Sequence, residues 1–434
     1  MNRKNAAVIT LLAACGLAQA QVASAQLREG DTVDGNTVTA INNSGANGIG
    51  GYSFTISTDN GVTTISKIWG SYNGGPGATI VSEATYNDRY EQTGFESFFG
   101  MGNSSVTYSP TVNDLATGAT GLDTVWKDIT PVLSEEDPVG GEFSSFNSRP
   151  GITRAGTPHW VGGLTSTQGG STQDRALFYD GNIVIRGGDA IPGIGNVSAN
   201  TIDFDYRFSG AGTNWICPID IDGAASSADI VIVVSGNAYS AGGSVVQEGS
   251  LVAPAAGGLP GELWVNFDSM GINEAGDVFF TGDTSTDPLF DEFVFKNGAI
   301  ALREGTAVTG GTIAGSIESG YMNEDGDWAV TWDLDTDAGN IEVLIVNGEV
   351  VLRENDPVDW NGDGTIDGGD SGAFLTDFTG IASVTVGDRQ GDGSFIVAFT
   401  ADCNVGGSIL EGGFVLTIPG TGCPADLTGS SDPN

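Results

Sequence analysis

The chain has 434 residues, of which 15 are Lys or Arg, 55 are Asp or Glu and one is His, so its formal net charge is −40. This balance argues against nucleic acid as a partner, because a surface that follows phosphates is built from Lys and Arg. No stretch after the N-terminus reaches the ~20 consecutive apolar residues of a transmembrane helix. The single histidine also excludes His-rich zinc sites and HExxH metalloprotease helices, so carboxylate and calcium chemistry stay open.

The N-terminus has the pattern of an export signal. A positively charged start precedes an apolar core over residues 6–18 and the small-residue cleavage site Ala23-Ser24-Ala25. We therefore predict that residues 1–25 form a signal peptide, that the mature chain starts at Gln26, and that the protein is extracellular or lies at the cell surface. The sequence Leu-Ala-Ala-Cys that ends at Cys15 resembles a bacterial lipoprotein box, so a lipid anchor on Cys15 is the alternative.

Three cysteines remain after such cleavage, which is an odd number for an oxidising compartment. We expect Cys403 to pair with Cys423, because both lie in the final segment. Cys217 is then expected to be a small buried hydrophobic residue.

One phrase occurs several times along the chain: an apolar residue, a small or polar residue, two variable positions, a glycine, and then an apolar strand with an aromatic residue. Its clearest copy is Ile272-Asn273-Glu274-Ala275-Gly276. The anchoring glycines of all copies, about 58 residues apart on average, are Gly45, Gly94, Gly156, Gly212, Gly276, Gly326 and Gly391. The spacing predicts seven units, with six as the alternative.

A second phrase, similar to Arg-Glu-Gly-Asp, alternates with the first. Its copies begin at Arg28, Arg186, Gln247, Arg303 and Arg353, with a degenerate copy at Ser134. We expect them to form turns closed by local hydrogen bonds rather than a ligand site. Several follow a hairpin signal, since Asp180-Gly181, Asn297-Gly298 and Asn347-Gly348 are dipeptides that accept positive φ in a type I′ turn.

Helical periodicity is nearly absent, and short β-rich segments bounded by turns predict an all-β fold. A unit of about four short strands cannot bury both faces of its sheet alone, whereas radial stacking of such units buries them and leaves only short edges. We predict a β-propeller of about seven, alternatively six, four-stranded blades over residues 26–419. Tandem β-sandwiches are the alternative fold.

The most specific chemical motif is the segment DWNGDGTIDGGD at 359–370, in which oxygen-bearing side chains alternate around a central glycine. It predicts a calcium site, because calcium accepts many oxygen ligands in flexible geometry. The predicted ligands are the side chains of Asp359, Asn361, Asp363, Asp367 and Asp370 and the backbone carbonyl of Thr365. We expect Ile366 to point inward, and Phe374, Leu375 and Phe378 to line a short helix after the loop.

Asp in place of Glu at the last position of this loop resembles the dockerin variant of the EF-hand loop. The segment 420–434 resembles the opening of a C-terminal cassette in planctomycete-type secreted proteins, where it continues into a dockerin-like calcium segment for sorting or surface attachment. Together with the repeats, the chain resembles secreted tandem-repeat proteins of that bacterial group, which have no established activity. The resemblance implies a calcium-containing protein at the cell surface. The sequence stops before the calcium loop of such a cassette, which leaves surface attachment open.

Two function classes remain, a binding module and an enzyme. A rigid β scaffold with variable loops and eight Trp suits the binding of a glycan or a protein, although Trp160, Trp215 and Trp328 occupy equivalent repeat positions and are expected in the core. A glycoside hydrolase or polysaccharide lyase would place two carboxylates in the propeller centre, but no acidic pair stands out. His159 is expected at a turn or rim. We therefore assign no catalytic residue and predict a non-enzymatic, calcium-stabilised binding or structural module, with a carbohydrate-active enzyme as the alternative.

Overall fold

The computed structural model describes residues 21–86, 88–135, 137, 142–146, 150–165, 175–202, 205–379 and 383–420. Seven antiparallel sheets carry most of the regular structure, and each is one blade. No α-helix occurs among the described residues, which contain two short 3-10 turns at Pro254–Ala256 and Gly368–Asp370. The all-β prediction is confirmed.

The strands are numbered in chain order, and β1 belongs to the last blade. Before blade 1 lies β1 (Ala23–Arg28). Blade 1 contains β2 (Thr32–Val33), β3 (Asn36–Ala46), β4 (Tyr52–Asp59), β5 (Thr64–Ser71) and β6 (Ala78–Ser82). Blade 2 contains β7 (Thr85–Tyr86), β8 (Tyr90–Met101), β9 (Val106–Asp114), β10 (Ala119–Lys127) and β11 (Thr130–Ser134). Blade 3 contains β12 (Glu142–Phe146), β13 (Gly151–Ile152), β14 (Pro158–Thr165), β15 (Arg175–Tyr179) and β16 (Asn182–Arg186).

The second half of the chain repeats this plan. Blade 4 contains β17 (Ala190–Ile191), β18 (Gly195–Ile202), β19 (Arg207–Phe208), β20 (Trp215–Ile221), β21 (Ile230–Val234) and β22 (Asn237–Ala238). A small hairpin, β23 (Ser240–Ala241) and β24 (Ser244–Val245), leads to blade 5, with β25 (Met270–Ile272), β26 (Val278–Asp283), β27 (Glu292–Lys296) and β28 (Ala299–Arg303). Blade 6 contains β29 (Ala307–Val308), β30 (Gly311–Met322), β31 (Trp328–Thr336), β32 (Gly339–Val346) and β33 (Glu349–Arg353). Blade 7 contains β34 (Phe374–Phe378), β35 (Val384–Val386), β36 (Phe395–Val405), β37 (Ser408–Ile418) and β1.

The innermost strands of the seven blades form a closed ring. Strands β3, β8, β13, β19, β25, β30 and β35 contact one another in that order, and β35 contacts β3. The molecule is therefore a seven-bladed β-propeller. The predicted count of seven is confirmed, whereas six blades and tandem sandwiches are wrong.

The first strand of the chain closes this ring. Strand β1 pairs antiparallel with β37, from Ala23 opposite Leu416 to Arg28 opposite Gly412, and so forms the outer strand of blade 7. On its other side, the amide of Ala25 donates to the carbonyl of Asp359 at 2.9 Å. The N-terminal strand is thus held between the C-terminal strand and the loop that carries the predicted calcium ligands.

The hydrophobic core is divided among the interfaces between blades. Each of the seven clusters of buried side chains combines residues from two adjacent blades. All eight Trp residues of the chain are buried, and none is more than 8% exposed. The core assignment of Trp160, Trp215 and Trp328 is confirmed, and none of the eight is available as an exposed sugar-stacking platform.

The turn predictions are largely confirmed. Asn297 and Gly298 have φ of 49° and 90°, and the dipeptides at 180–181 and 347–348 also have positive φ, as type I′ turns require. In the second phrase, the first residue's amide donates to the fourth residue's Asp side chain, and the fourth residue's amide donates back to the first carbonyl. The copies that share this pattern begin at Arg28, Ser134, Arg186 and Arg353.

In blades 1 and 2, the predicted copies of the first phrase do not lie at the turn after the innermost strand. Gly156, Gly212, Gly276 and Gly326 lie in the turn that follows the innermost strand of their blade, but Gly45 lies inside β3 and Gly94 inside β8. These two inner strands are long and contain bulges, so strand residues imitate the turn pattern.

The two described cysteines, Cys217 and Cys403, are both buried. Cys217 is fully buried in the interface between blades 3 and 4, which confirms its hydrophobic role. Burial raises the pKa of the Cys403 thiol to about 12, so that it stays protonated at neutral pH. The pairing of Cys403 with Cys423 stays a prediction, because Cys423, Cys15 and the tail after residue 420 lie outside the described residues.

The buried start of β1 bears on the predicted cleavage after Ala25. Ala23 and Ala25 are 1% and 6% exposed, and both belong to the core of blade 7. A chain that starts at Gln26 would lose these contacts and the hydrogen bonds with Asp359. We expect it to melt several degrees below a chain that starts at Gln21, because the lost burial and hydrogen bonds amount to about 1–3 kcal/mol. Equal melting temperatures in calorimetry would show that residues 21–25 do not help to close the ring.

Candidate functional site

The turns that follow the innermost strands are joined from blade to blade by hydrogen bonds. The backbone links run from Asn103 N to Arg154 O (3.1 Å), from Arg154 N to Gly210 O (2.8 Å) and from Asp388 N to Asn47 O (3.3 Å). We call these seven turns the turn ring. Its hydrogen bonds cross blade boundaries, so the ring fixes one end of the central channel.

Three buried asparagines occupy the same position in the turn ring, directly after an innermost strand. The side-chain amides of Asn47, Asn273 and Asn323 each donate to a backbone carbonyl of the next blade, at 3.3, 3.1 and 2.7 Å. Asn273 and Asn323 are the second residues of the first phrase. The phrase thus recurs partly because its polar position connects neighbouring blades, which its spacing alone does not show.

Carboxylates complete the turn ring on the later blades. Glu324 accepts hydrogen bonds from the amide of Gly210 at 2.5 Å and from the amide of Glu274 at 3.0 Å, so it links blade 6 to blades 4 and 5. The amide of Glu324 donates to Asp388 at 3.1 Å. Burial raises the pKa of Glu324, an effect that its two backbone donors oppose.

An ion pair crosses the channel at the turn ring. The guanidinium of Arg154 in blade 3 donates to both carboxylate oxygens of Asp388 in blade 7, at 2.6 and 2.9 Å, and to the carbonyl of Ala46 in blade 1 at 3.0 Å. The two charged side chains are only 16% and 14% exposed. Arg154, Asp388 and Glu324 form a polar plug, because they connect blades on opposite sides of the axis.

A central cavity begins beside this plug, since Ala46 both lines the cavity and accepts from Arg154. Its volume is about 90 Å³. Its walls come from the innermost strands of six blades and from β14. The larger lining side chains are Asn43, Phe98, Phe99, Met101, Ile152, His159, Arg207, Phe208, Tyr321 and Thr385. None of the described lining residues is Asp or Glu.

Arg207 is the positively charged residue of this lining. It extends from β19 in blade 4 toward blade 6, where its guanidinium carbon lies 5.5 Å from the centre of the Tyr321 ring. Its Nη1 donates to the carbonyl of Tyr206 at 3.1 Å. No acidic side chain in the described part of the chain forms an ion pair with it. This cation is therefore stabilised by an aromatic face and one carbonyl.

His159 lies in strand β14 rather than at a turn or rim, so that expectation is wrong. Its side chain is 5% exposed and its ring packs 4.7 Å from that of Phe208 and 5.4 Å from that of Tyr206. Burial, with a further contribution from the charge of Arg207, lowers its pKa to about 3. His159 is thus neutral at physiological pH and contributes an aromatic surface to the cavity. The pattern Pro-His-Trp contained no signal for this burial.

The carboxylates that an enzyme would need are concentrated elsewhere, on the later blades. Cross-strand acidic pairs are Asp283 with Glu292, Asp333 with Glu342, and Asp402 with Glu411. In each pair the glutamate accepts a hydrogen bond from an amide of the next blade, at Ile317 (3.4 Å), Phe378 (2.7 Å) and Ile41 (2.6 Å). These carboxyls connect blades and do not line the cavity.

Neighbouring carboxyls and burial shift the titration of these glutamates. Burial raises the pKa of Glu342 to about 8, and the adjacent carboxyl of Asp377 adds to the rise. Burial also raises the pKa of Glu292 to about 8, with the charge of Asp283 as the next contribution. Glu342 and Glu292 are therefore largely protonated at neutral pH, which reduces the repulsion from their acidic neighbours.

The predicted calcium loop is a compact turn. Asp359, fully buried, accepts from the amides of Gly362 (2.8 Å), Asp363 (3.2 Å) and Gly364 (2.7 Å). Asp370, 1% exposed, accepts from the amides of Asn361 and Asp367 at 3.0 and 2.6 Å. The donor set of carboxylates, amide and carbonyl suits calcium. However, the structure gathers no three acidic, His or Cys side chains of the described residues into a metal-binding group.

Two expectations around this loop are wrong. Ile366 is 41% exposed and does not point inward. Phe374, Leu375 and Phe378 lie in strand β34, not in a helix, since this segment pairs with β36 in blade 7. These apolar residues pair at the sheet edge of blade 7, so they do not form a helix after the loop.

Comparisons with known proteins give a distant structural match and no family. No model of a protein family matches the chain, and no curated protein matches it. Among solved structures, prolyl oligopeptidase B from Galerina marginata, bound to a 35mer hydrolysis and macrocyclization substrate, is 11% identical with a TM-score of 0.38; the match covers 88% of this chain and 51% of that chain. The chain spans about half the length of that protein, and at this identity and score the likeness says nothing about activity.

The class that the fold defines is thus a seven-bladed β-propeller with a polar plug at one end of its channel and an aromatic cavity beside it. No helix of the described residues is long and apolar enough to cross a membrane.

The polar plug gives a test of stability. Arg154→Met leaves the carboxylate of Asp388 buried without its cation, and we expect a loss of about 3–5 kcal/mol in the free energy of unfolding. Adding Asp388→Asn should restore part of this loss. The control is Arg28→Met, which removes an ion pair whose side chains are 34% and 29% exposed and should cost much less, because solvent screens such a pair. Similar denaturation midpoints for Arg154→Met and Arg28→Met would contradict the role of the plug.

The raised pKa of Glu342 gives a test of pH dependence. A carboxyl that binds its proton more tightly in the folded state supports folding below its unfolded pKa of 4.5 and loses that contribution as the pH rises toward about 8. Glu342→Gln imitates the protonated form, so it should raise the melting temperature by a few degrees at pH 8.5 and have little effect at pH 5. Glu349→Gln, at an exposed position of the same blade, is the control. Equal effects of both variants at pH 8.5 would contradict the assignment.

Proposed function

We propose that this chain is a non-enzymatic, calcium-stabilised binding module that acts outside the cell or at the cell surface and takes a glycan into its central cavity. The observation that carries this proposal is the cavity itself. Its lining of Phe, Tyr and His rings with Asn43, Thr385 and Arg207 combines apolar faces with a few polar groups, as in sites for small ligands.

A glycan is favoured over a protein by the shape of the site. The cavity lies within the ring of innermost strands and is closed on one side by the polar plug, so a folded protein domain cannot enter it. Rings of Phe98, Phe99, Phe208 and Tyr321 are the aromatic groups there, since the Trp residues are all in the core. We therefore propose a single sugar unit or the end of a chain as the occupant.

The alternative, a carbohydrate-active enzyme with two carboxylates in the propeller centre, lacks support from the described residues. The acid–base pair of such an enzyme faces the substrate. Asp388 and Glu324 do lie in the propeller centre, but Asp388 pairs with Arg154 and Glu324 accepts from two backbone amides. The cross-strand acidic pairs described above hold blades together. In the binding test below, this alternative predicts that new reducing or unsaturated ends of the polysaccharide are released.

Calcium would act through ring closure in this proposal. Asp359, the first proposed ligand, exchanges backbone hydrogen bonds with Ala23 and Ala25 of β1 at 3.0 and 2.9 Å. The next residue, Trp360, accepts from the guanidinium of Arg28 through its carbonyl at 3.2 Å, and its ring packs against Phe414. An ion that stiffens this loop would therefore stabilise the strand that closes the propeller.

The cavity proposal is tested by retention on a panel of acidic and neutral polysaccharides, with the release of new ends scored in parallel. Thr385→Phe fills the cavity, so we expect it to lose retention. Thr130→Phe makes the same change at an exposed position of blade 2 and should bind like the wild type. Retention that survives in Thr385→Phe, with both variants folded, would place the ligand elsewhere and overturn the proposal; release of ends would favour the enzyme.

The calcium proposal is tested by thermal unfolding with calcium and with chelator. Calcium should raise the melting temperature of the wild type by several degrees, because an ion that binds the folded state alone stabilises it. Asp363→Ala should abolish this rise. The control is Asp392→Ala, because Asp392 accepts from the amide and hydroxyl of Ser394 just as Asp363 accepts from those of Thr365. Identical wild-type melting in calcium and in chelator would remove calcium from the account.

A further inference from the structure

The cavity has a charge opposite to that of the molecule around it. The chain carries 55 acidic residues against 15 basic ones, yet the described lining of the cavity contains Arg207 and no Asp or Glu. If the 55 acidic residues were distributed evenly over the 434 positions, about two would be expected among the 16 lining residues. The cavity is thus a place that a negatively charged group can approach without meeting a carboxylate.

Arg207 has hydrogen-bonding capacity to spare. A guanidinium has five N–H donors, and within the described residues Arg207 uses one of them, toward the carbonyl of Tyr206. Tyr321 covers a face of the guanidinium rather than its N–H groups. An arginine that pairs within the protein looks different, since Arg154 donates to both oxygens of Asp388 and to Ala46. The two arginines of the channel thus divide into one that is paired and one that is not.

The surroundings of Arg207 strengthen its pull on an anion. The apolar rings of Phe208 and Tyr321 lower the local dielectric around it. Asn43 and Thr385 add neutral polar groups to the lining. A planar guanidinium beside aromatic surfaces suits a carboxylate attached to a ring, because the carboxylate pairs with the N–H groups while the ring packs on the aromatic wall.

We propose that the ligand of the central cavity is an acidic glycan, bound through the carboxylate of a uronic acid unit that pairs with Arg207. This inference rests on the proposed function, of which it specifies the ligand class. The acidic exterior of the protein then acts as a filter, since it repels the body of a highly charged polymer while the cavity accepts an acidic unit at its end.

The test is calorimetric titration of the full chain with D-glucuronate and, separately, with D-glucose, at 0.15 M salt to screen the charge of the exterior. We expect glucuronate to bind at least tenfold more tightly than glucose. Arg207→Gln should weaken glucuronate at least tenfold, which is the usual size of a charge-assisted pair. Arg186→Gln removes one positive charge from β16, the outer strand of blade 3, and should change the affinity less than twofold. Melting curves confirm that both variants are folded.

The outcomes separate this inference from the proposed function. Equal affinities for glucuronate and glucose, no binding of glucuronate, or an Arg207→Gln variant that binds glucuronate like the wild type would each overturn the acidic ligand. A polysaccharide lost by Thr385→Phe but kept by Arg207→Gln would leave the cavity as the binding site and remove the uronic acid. A polysaccharide kept by Thr385→Phe would instead overturn the cavity proposal.

Discussion

The structure depends on the closure of one ring. Each blade has two apolar faces, and both are buried only when the last blade packs against the first. This requires a seventh blade that contains residues from both parts of the chain, with β1 as its outer strand and β34 to β37 as the rest. The seven inter-blade clusters are equivalent in this sense, because opening any one of them exposes two apolar faces to water.

Polar interactions then decide the character of the two ends of the channel. At the turn ring, side chains such as Asn273 and Glu324 form hydrogen bonds with backbone carbonyls and amides of neighbouring blades. A buried backbone group left without a partner would destabilise the fold by more than the hydrogen bond stabilises it. Arg154 and Asp388 close the centre of this end. Beyond them, the aromatic cavity contains Arg207, which forms no ion pair with the acidic residues that the structure describes. The contrast between Arg154 and Arg207 supports the proposed binding site, since the ion pair at the plug is already complete.

Much of the fold could be predicted from the sequence, because local patterns determine strands and hairpins. Asn297-Gly298 requires positive φ, and the spacing of the repeated phrases gives the number of blades. The register in blades 1 and 2 could not be predicted, since the bulges of β3 and β8 place Gly45 and Gly94 inside strands. The bulged strands follow tertiary packing, which short repeats do not encode.

The site was less accessible to sequence reasoning. Arg154 and Asp388 are 234 positions apart in the chain, and only the closed ring brings them together. His159 and Arg207 share a wall because β14 and β19 belong to neighbouring blades, while nothing in Pro-His-Trp or Tyr-Arg-Phe marks either as a cavity residue. The calcium motif could be recognised from the spacing of its oxygen-bearing residues. Its hydrogen bonds with β1 could not, because they depend on the topology of blade 7. In the structure, Ala23-Ser24-Ala25 is part of strand β1. The small side chains of Ala23 and Ala25 alternate along the strand and pack into the core.

The pairing of β1 with β37 has a kinetic consequence. Ala23 and Leu416 are joined across nearly the whole sequence, so this contact has the greatest sequence separation in the sheet framework and is the slowest to form by chance encounter. During synthesis, β1 must wait unpaired until β37 has been made. Blades 1 to 6 can assemble meanwhile from local hairpins. A propeller closed in this way completes its folding only after β37 has been made. Until then the edge of β1 is exposed, and the chain is most open to aggregation and proteolysis.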